Sequence, residues 1–165
     1  MRVLVISDTH GNINHIRHVL GFAKAQNMSA IFHCGDFSTS QDVVEVLHSG
    51  LSLYAATGNA DEARYDEIWS ALEPAVERGD TLEFTLDGRK IGMGHQPSKV
   101  REFIESENFD AIFFGHLHYA SKKQVGNTLV INPGALGNTT KPSFAIYDTE
   151  LNEAEIIPVV IDMFP

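Results

Sequence analysis

The chain has 165 residues, 43% of them hydrophobic, which is enough for one domain with a buried core. Its 22 acidic and 12 basic residues give a formal net charge of -10, so its surface has no general attraction for long nucleic acid or anionic membranes. A phosphorylated substrate is not excluded, because bound metal ions supply local positive charge. The single cysteine, Cys34, excludes an internal disulfide and fits a reducing compartment.

The apolar runs of the chain are too short to span a bilayer, and the N-terminus lacks the charged region, apolar region and cleavage site of a signal peptide. We therefore expect a cytoplasmic protein.

The first half of the chain predicts strands that alternate with helices. Continuous apolar runs predict buried strands over 2–7, 30–33 and 51–56. Apolar residues at helical spacing predict helices over 13–26, 40–48 and 62–77. The last of these contains Pro74, which would kink or end it.

The second half predicts mostly hairpins. Asp87-Gly88 is a strong turn signal between strands over 81–86 and 90–93. A helix over 97–107 and a buried strand over 110–114 follow. The remaining predicted strands cover 120–125, 128–132, 143–149 and 153–161. This layout predicts two packed sheets with helices on their outer faces.

Five short segments carry metal-binding residue types at or near the ends of predicted strands: Asp8-Thr9-His10, Gly35-Asp36, Gly58-Asn59, Gly94-His95 and Gly115-His116-Leu117-His118. If the strands are neighbours, the segments meet at one edge of a sheet. That edge would hold two carboxylates, one amide oxygen and four imidazoles. This set is too large for one tetrahedral ion and suits a pair of divalent metals.

Each segment alone also has a purely structural interpretation. Asp8 is suited to cap the following helix, and Gly-Asp and Gly-Asn are ordinary turn pairs. Asn12 either caps the first helix or hydrogen-bonds a phosphate oxygen of a substrate. Among the other histidines, His15 and His18 suit a solvated helix face, and His33 suits packing within a strand.

The order Asp-x-His, Gly-Asp, Gly-Asn, Gly-His, Gly-His-x-His resembles the calcineurin-like metallophosphoesterase superfamily. Within it, the chain looks like the small single-domain bacterial and archaeal phosphodiesterases, which the segments 6–12 and 132–134 also fit. The resemblance covers nearly the whole chain. It implies one domain over 1–165, an α/β protein built as a four-layer α/β/β/α sandwich with two mixed β-sheets.

The resemblance also implies a dinuclear metal centre in which Asp36 bridges two ions. The implied ligands of one ion are Asp8, His10, Asp36 and His118, and those of the other are Asp36, Asn59, His95 and His116. A hydroxide that bridges the ions would attack a phosphoester, most often a phosphodiester, so that Asp36, Asn59 and His95 act in catalysis through it. Manganese is the expected metal, with iron, zinc, nickel or cobalt as alternatives.

The chain departs from the family pattern at two positions. Many relatives carry a histidine after the Gly-Asn pair that assists the leaving group as an acid, whereas this chain has Ala60 followed by Asp61. Asp61 is the nearest ionisable candidate for that role. The family usually has glycine after the histidine of the Gly-His segment, and this chain has Gln96. Asn12 and Asn59 are the candidates for substrate binding.

Several functions stay open at this point. The expected partner is a small phosphorylated substrate, with no long nucleic acid and no membrane, and short or cyclic nucleotides belong to the same chemistry. A non-catalytic scaffold for protein assembly, as in the retromer subunit that resembles these enzymes, is the alternative in another class. A binding protein for a single metal is the third. Apolar Met163 and Phe164 near the C-terminus would suit a homo-oligomer.

Overall fold

The computed structural model describes residues 1–160. Within them the strands are β1 (Arg2–Ile6), β2 (Ala30–His33), β3 (Ser52–Ala56), β4 (Glu77–Gly79), β5 (Thr81–Leu86), β6 (Arg89–Gly94), β7 (Ala111–Phe113), β8 (Ala120–Val125), β9 (Thr128–Pro133), β10 (Ser143–Asp148) and β11 (Glu153–Pro158). The helices are α1 (Ile13–Ala25), α2 (Ser40–Leu47), α3 (Tyr65–Ala71) and α4 (Arg101–Ser106), with a 3-10 turn over Glu62–Arg64 before α3. Met163 and Phe164 lie outside the described residues.

The strands form two mixed sheets. The first has the order β11-β10-β1-β2-β3-β4, with β1 to β4 parallel and β10 antiparallel to β1. The second has the order β5-β6-β7-β9-β8, with β6, β7 and β9 parallel. The predicted fold class, two mixed sheets of an α/β protein, is confirmed.

The alternation of side chains along β1 explains how the first sheet is buried on both faces. Val3 and Val5 belong to the core between the sheets, whereas Leu4 and Ile6 belong to the core beneath the helices. Phe32 on β2 lies at the centre of the core between the sheets, where its ring meets that of Phe113 edge-on at a centroid distance of 5.2 Å. The two sheets are therefore fixed face to face by large rings.

Helices cover the outer faces of both sheets. The helices α1, α2 and α3 pack on the first sheet through Val19, Val43 and Ile68, all fully buried. The outer face of the second sheet is covered more thinly, by α4 and the chain beside it, around Val100 and Phe109. No helix among residues 1–160 is long and apolar enough to cross a membrane.

Two predicted helices are shorter in the structure. The helix predicted over 62–77 ends at Ala71, and residues 77–79 instead form β4, which pairs with β3. The helix predicted over 97–107 begins only at Arg101, because a turn in which the Lys99 N–H donates to the Gln96 carbonyl precedes it. The last predicted strand ends at Pro158, and position 161 lies outside the described residues.

Candidate metal centre

The five predicted ligand segments meet at one edge, where the carboxyl ends of parallel strands from both sheets come together. Backbone hydrogen bonds join the segments directly. The Asp8 N–H donates to the Gly35 carbonyl at 2.9 Å, and the Gly115 N–H donates to the His95 carbonyl at 2.9 Å. Neighbouring strand ends therefore hold the side chains within reach of one another.

A first group of ligand atoms comes from Asp8, His10, Asp36 and His118, and all four atoms lie within 4.8 Å of one another. The His118 Nε2 atom is 3.1 Å from Asp8 Oδ1, and the His10 Nε2 atom is 3.6 Å from Asp36 Oδ2. The two Nε2 atoms are 3.2 Å apart. Four donor atoms thus converge on one small volume.

A second group converges beside it, around the Nε2 atom of His95. This atom lies 3.1 Å from Asn59 Oδ1, 3.3 Å from His116 Nδ1 and 3.3 Å from Asp36 Oδ1. The Oδ2 atom of Asp36 faces the first group, so its two carboxylate oxygens face different groups. All seven side chains singled out from the sequence are brought together.

One observation that does not depend on any sequence motif indicates that these ligand atoms fit divalent cations. The Oδ1 atom of Asp8 is fully buried and has no hydrogen-bond partner among the described residues. It lies 3.1 Å from His118 Nε2, without the alignment of a hydrogen bond. A buried carboxylate oxygen without a partner is costly, and a cation bound between it and the imidazoles would satisfy it.

His95 is held so that one ring nitrogen faces the site. Its Nδ1 donates to the Cys34 carbonyl at 2.8 Å, which directs Nε2 toward the other ligand atoms. Burial lowers the pKa of His95, but the hydrogen bond and charge of Asp36 outweigh it and the net pKa is raised. Burial likewise raises the pKa of Asp36, while its contact with His95 outweighs this and leaves it below the ordinary value.

Five of the predicted ligands have a left-handed backbone. Their φ angles are 52° for Asp8, 43° for His10, 59° for Asp36, 70° for His116 and 54° for His118. Such conformations cost of order 1–3 kcal/mol each and persist only where the surroundings impose them. Because this strain does not stabilise the fold, its clustering at the strand ends indicates a functional site.

Two of the glycines in the ligand segments are required by close packing. A Cβ atom on Gly58 would overlap the Asp36 carboxylate, and one on Gly115 would overlap the Ser7 hydroxyl and lie 2.7 Å from Asp8 Oδ2. These glycines allow the backbone of one segment to lie against the side chain of another.

A buried network supports the segment 8–10, and sequence reasoning missed it. The Thr9 hydroxyl donates to Asp42 Oδ2 at 3.0 Å, and the Gly11 N–H donates to the same oxygen at 2.7 Å. His33 accepts the Gly35 N–H at Nδ1, so its Nε2 donates to the Thr9 hydroxyl at 3.3 Å. Asp42 lies on α2 outside every motif, and only its full burial as an acidic side chain reveals it.

Two further residues have clear structural contacts. Asp61 is fully buried and accepts the backbone N–H groups of Asp36, Ser38 and Gly58 at 2.8–3.0 Å. Burial raises its pKa above the ordinary value. Asn12 caps α1, since its Oδ1 accepts the His15 N–H at 3.2 Å.

Comparison with protein families shows which family the chain belongs to. The family model for the calcineurin-like phosphoesterase superfamily domain matches residues 1–152. The chain belongs to the calcineurin-like phosphoesterase superfamily. The match supports the hydrolysis of a phosphoester as the activity of this chain. It also supports divalent metal as the cofactor.

Named relatives of this superfamily member include phosphodiesterases. Phosphodiesterase MJ0936 of Methanocaldococcus jannaschii is 30% identical over 160 residues, which are 93% of this chain and 96% of the relative. The solved structure of an archaeal phosphodiesterase superposes with a TM-score of 0.85 at 28% identity, over 96% of this chain and 100% of that one. Vps29 of Entamoeba histolytica, solved as a complex with Zn²⁺, has a TM-score of 0.67 at 17% identity over 96% of this chain and 98% of its own. The last likeness concerns the fold alone.

Proposed function

We propose that this protein is a dinuclear metal-dependent phosphodiesterase that acts on a small phosphorylated substrate. The supporting observation is the position of Asp36, whose Oδ2 faces His10 at 3.6 Å and whose Oδ1 faces His95 at 3.3 Å. A carboxylate placed between two groups of ligand atoms can bridge two cations. The phosphodiesterase named among the relatives favours a diester over a monoester.

The proposed ligands divide between two ions that share Asp36. Asp8, His10 and His118 would complete the first site, and Asn59, His95 and His116 the second. When bound, the two divalent cations would supply Lewis acidity toward the phosphate and a hydroxide nucleophile near neutral pH. Manganese is the proposed metal, with iron, zinc, nickel or cobalt able to use the same donors.

The protein's own residues would orient both metals and substrate. Ser7 donates to Asp8 Oδ2 at 2.6 Å and Ser38 lies 2.9 Å from His10 Nδ1, so the free ligand atoms of both residues keep their direction. Asn59 is proposed to contact the substrate as well as the second ion. Asn12 lines a surface depression together with His10 and is the second proposed substrate contact, in addition to its capping role.

Asp61 is left out of the proposed proton transfers. Its side chain is fully buried, and both of its oxygens accept backbone N–H groups that hold the chain at Asp36 and Ser38. We propose that residues 1–165 form one domain, which the family match over 1–152 supports.

The experiment is to load the protein with Mn²⁺ and measure turnover of bis(4-nitrophenyl) phosphate and metal content together. Asp36→Ala is expected to lose both metals and to lower kcat/KM at least about 10²-fold, because removing a bridge affects both sites. Asp66→Ala, at an exposed position of α3, is the matched control and should leave both quantities unchanged.

The outcomes separate the alternatives. Loss of only one of two metals from Asp36→Ala would contradict a bridge, whereas a wild type that binds one ion in all would support the single-metal protein. Full metal occupancy of the wild type without turnover of any phosphoester would contradict the enzyme and support a scaffold of the same fold.

A further inference from the structure

A small pocket opens directly beside the second group of predicted ligands. Asn59 and His95 form part of its wall, and the remaining wall includes Glu62, Asp80, Gln96 and Lys99. Its volume is about 110 Å³, well below the 300–1,000 Å³ of typical pockets for drug-sized ligands and large enough for several waters. The pocket therefore suits a small group attached to a phosphate held at the ligand cluster.

The wall of this pocket carries both hydrogen-bond donors and hydrogen-bond acceptors. Glu62 and Asp80 supply carboxylate oxygens, and Asp80 Oδ1 already accepts the Thr57 hydroxyl at 2.7 Å. Gln96 Nε2 points toward the cluster, 3.4 Å from Asn59 Oδ1. Two carboxylates against one lysine disfavour a second anionic group, whereas hydroxyl groups could donate to the acids and accept from the amide.

Lys99 is the one lysine or arginine in the pocket wall, and no motif predicts it. The turn between Gln96 and Lys99 brings it there, since the Lys99 N–H donates to the Gln96 carbonyl at 3.0 Å. Lys99 is exposed, and its ammonium group has no hydrogen-bond or ion-pair partner among the described residues. Ala60, beside Asn59, has no side-chain proton to give.

We propose that this pocket binds the leaving alcohol of the substrate, a small hydroxylated alcohol of glycerol size, and that Lys99 donates a proton to the oxygen of this alcohol. The inference rests on the proposed function. As hydroxide forms a new bond to phosphorus, the bond from phosphorus to the alcohol oxygen breaks and its electron pair stays on that oxygen. Lys99 Nζ transfers a proton to the oxygen, and the neutral amine regains one from solvent.

The test compares symmetric diesters, in which the leaving group is unambiguous, on the Mn²⁺-loaded protein. Wild type should hydrolyse bis(glyceryl) phosphate at least about tenfold faster than diethyl phosphate, the factor that one net hydrogen bond gives. Lys99→Met should lower kcat for bis(glyceryl) phosphate about 10²–10⁴-fold. It should change turnover of bis(4-nitrophenyl) phosphate by less than about threefold, because nitrophenolate leaves without a proton.

Lys99→Arg separates a proton donor from a positive charge, because arginine keeps the charge and does not release a proton. With bis(glyceryl) phosphate, Lys99→Arg should keep the KM of the wild type and show the same loss of kcat as Lys99→Met. A wild-type kcat in Lys99→Arg would overturn the proposed proton transfer. Lys24→Met, on an exposed part of α1, is the control and should match wild type.

A readout without turnover checks the pocket itself. Calorimetry should show that the product glycerol 1-phosphate binds at least about tenfold more tightly than ethyl phosphate, and that Glu62→Gln reduces this ratio. Equal affinities of the two phosphates would overturn the pocket assignment.

The outcomes separate the two proposals. If the wild type hydrolyses bis(4-nitrophenyl) phosphate but Lys99→Met lowers kcat equally for both diesters, only the role of Lys99 is contradicted. If the wild type hydrolyses no diester, the proposed function itself fails.

Discussion

His33 lies fully buried beside the candidate metal centre, with its ring stacked on Phe37 at a centroid distance of 3.5 Å. Burial, reinforced by the charge of nearby His95, lowers the pKa of His33 to about 3. The folded protein thus keeps this ring neutral while the unfolded chain protonates it near pH 6.5. The neutral ring is the one that can accept the Gly35 N–H and donate to Thr9.

The consequence is a dependence of stability on pH. Between pH 3 and 6.5 the unfolded state binds the extra proton, so the contribution of His33 to the free energy of unfolding should rise with pH by up to about 1.4 kcal/mol per unit and stay level above this range. Urea unfolding of metal-free wild type and His33→Gln over pH 4–7.5 measures the difference. Equal slopes in the two proteins would rule out His33 as the source.

Thr9 lies between two predicted ligands and connects them to buried Asp42. Thr9→Val keeps the shape but removes the hydroxyl, so we expect Mn²⁺ affinity at the first site to fall about 10–100-fold, as for other residues that orient metal ligands. Thr9→Ser, which keeps the hydroxyl, should bind as the wild type does. Calorimetric titration of both variants decides, and identical affinities in all three proteins would contradict this role.

Residues that end a strand within a short motif could be predicted from the sequence, and Asp42 and Lys99 could not. The seven predicted ligands follow glycine or stand two apart after apolar runs, which is visible in one dimension. Asp42 contacts the first ligand segment from a helix, and Lys99 lines the adjacent pocket through a turn that replaces a predicted helical segment. Their roles depend on how distant elements pack.

At the scale of elements, continuous apolar runs predicted the strands of the first half more closely than helical spacing predicted the helices. The buried run of β1 places its residues on two different cores, as a strand between two layers requires. The segment 62–77 has apolar residues at helical spacing, but its last part pairs with β3 as the edge strand β4. Local pattern does not contain this pairing, because it depends on an available sheet edge.

Gly115, in the segment after β7, lies too close to its neighbours for a larger residue to fit. Gly115→Ala should lower the free energy of unfolding by about 1–3 kcal/mol, because the added methyl meets Ser7 and Asp8. Gly21→Ala is the matched control, since Gly21 lies inside α1 with no atom near its added Cβ. That change should stabilise the protein by about 0.5–1 kcal/mol. Urea unfolding of both variants tests this, and equal effects would contradict the close approach.

At the scale of the whole molecule, the predicted ligands come from both sheets. Asp8, Asp36 and Asn59 follow strands of the first sheet, whereas His95 and His116 follow strands of the second. Bound cations would therefore join the two layers at one end. The strand ends predicted this meeting only on the condition that the strands are neighbours. The resemblance supplied that condition, because the seven predicted ligands are up to 110 positions apart and no local pattern fixes which strand ends become neighbours.

Metal binding should accordingly stabilise the whole fold. Mn²⁺ at 100 times its dissociation constant is expected to raise the free energy of unfolding by about 2.7 kcal/mol per site, and a chelator should reverse the change. Asp36→Ala should show no such response. Thermal unfolding with and without Mn²⁺ measures it, and an equal rise in both proteins would place the binding elsewhere.

Cys34, the single thiol of the chain, is fully buried between the sheets, and burial raises its pKa well above the ordinary value. A thiol reagent should therefore modify it only when the layers separate. The rate of labelling then reports how often this interior opens to solvent, without any engineered probe. Since the Cys34 carbonyl accepts the ring proton of His95, the same measurement follows the wall of the candidate metal centre.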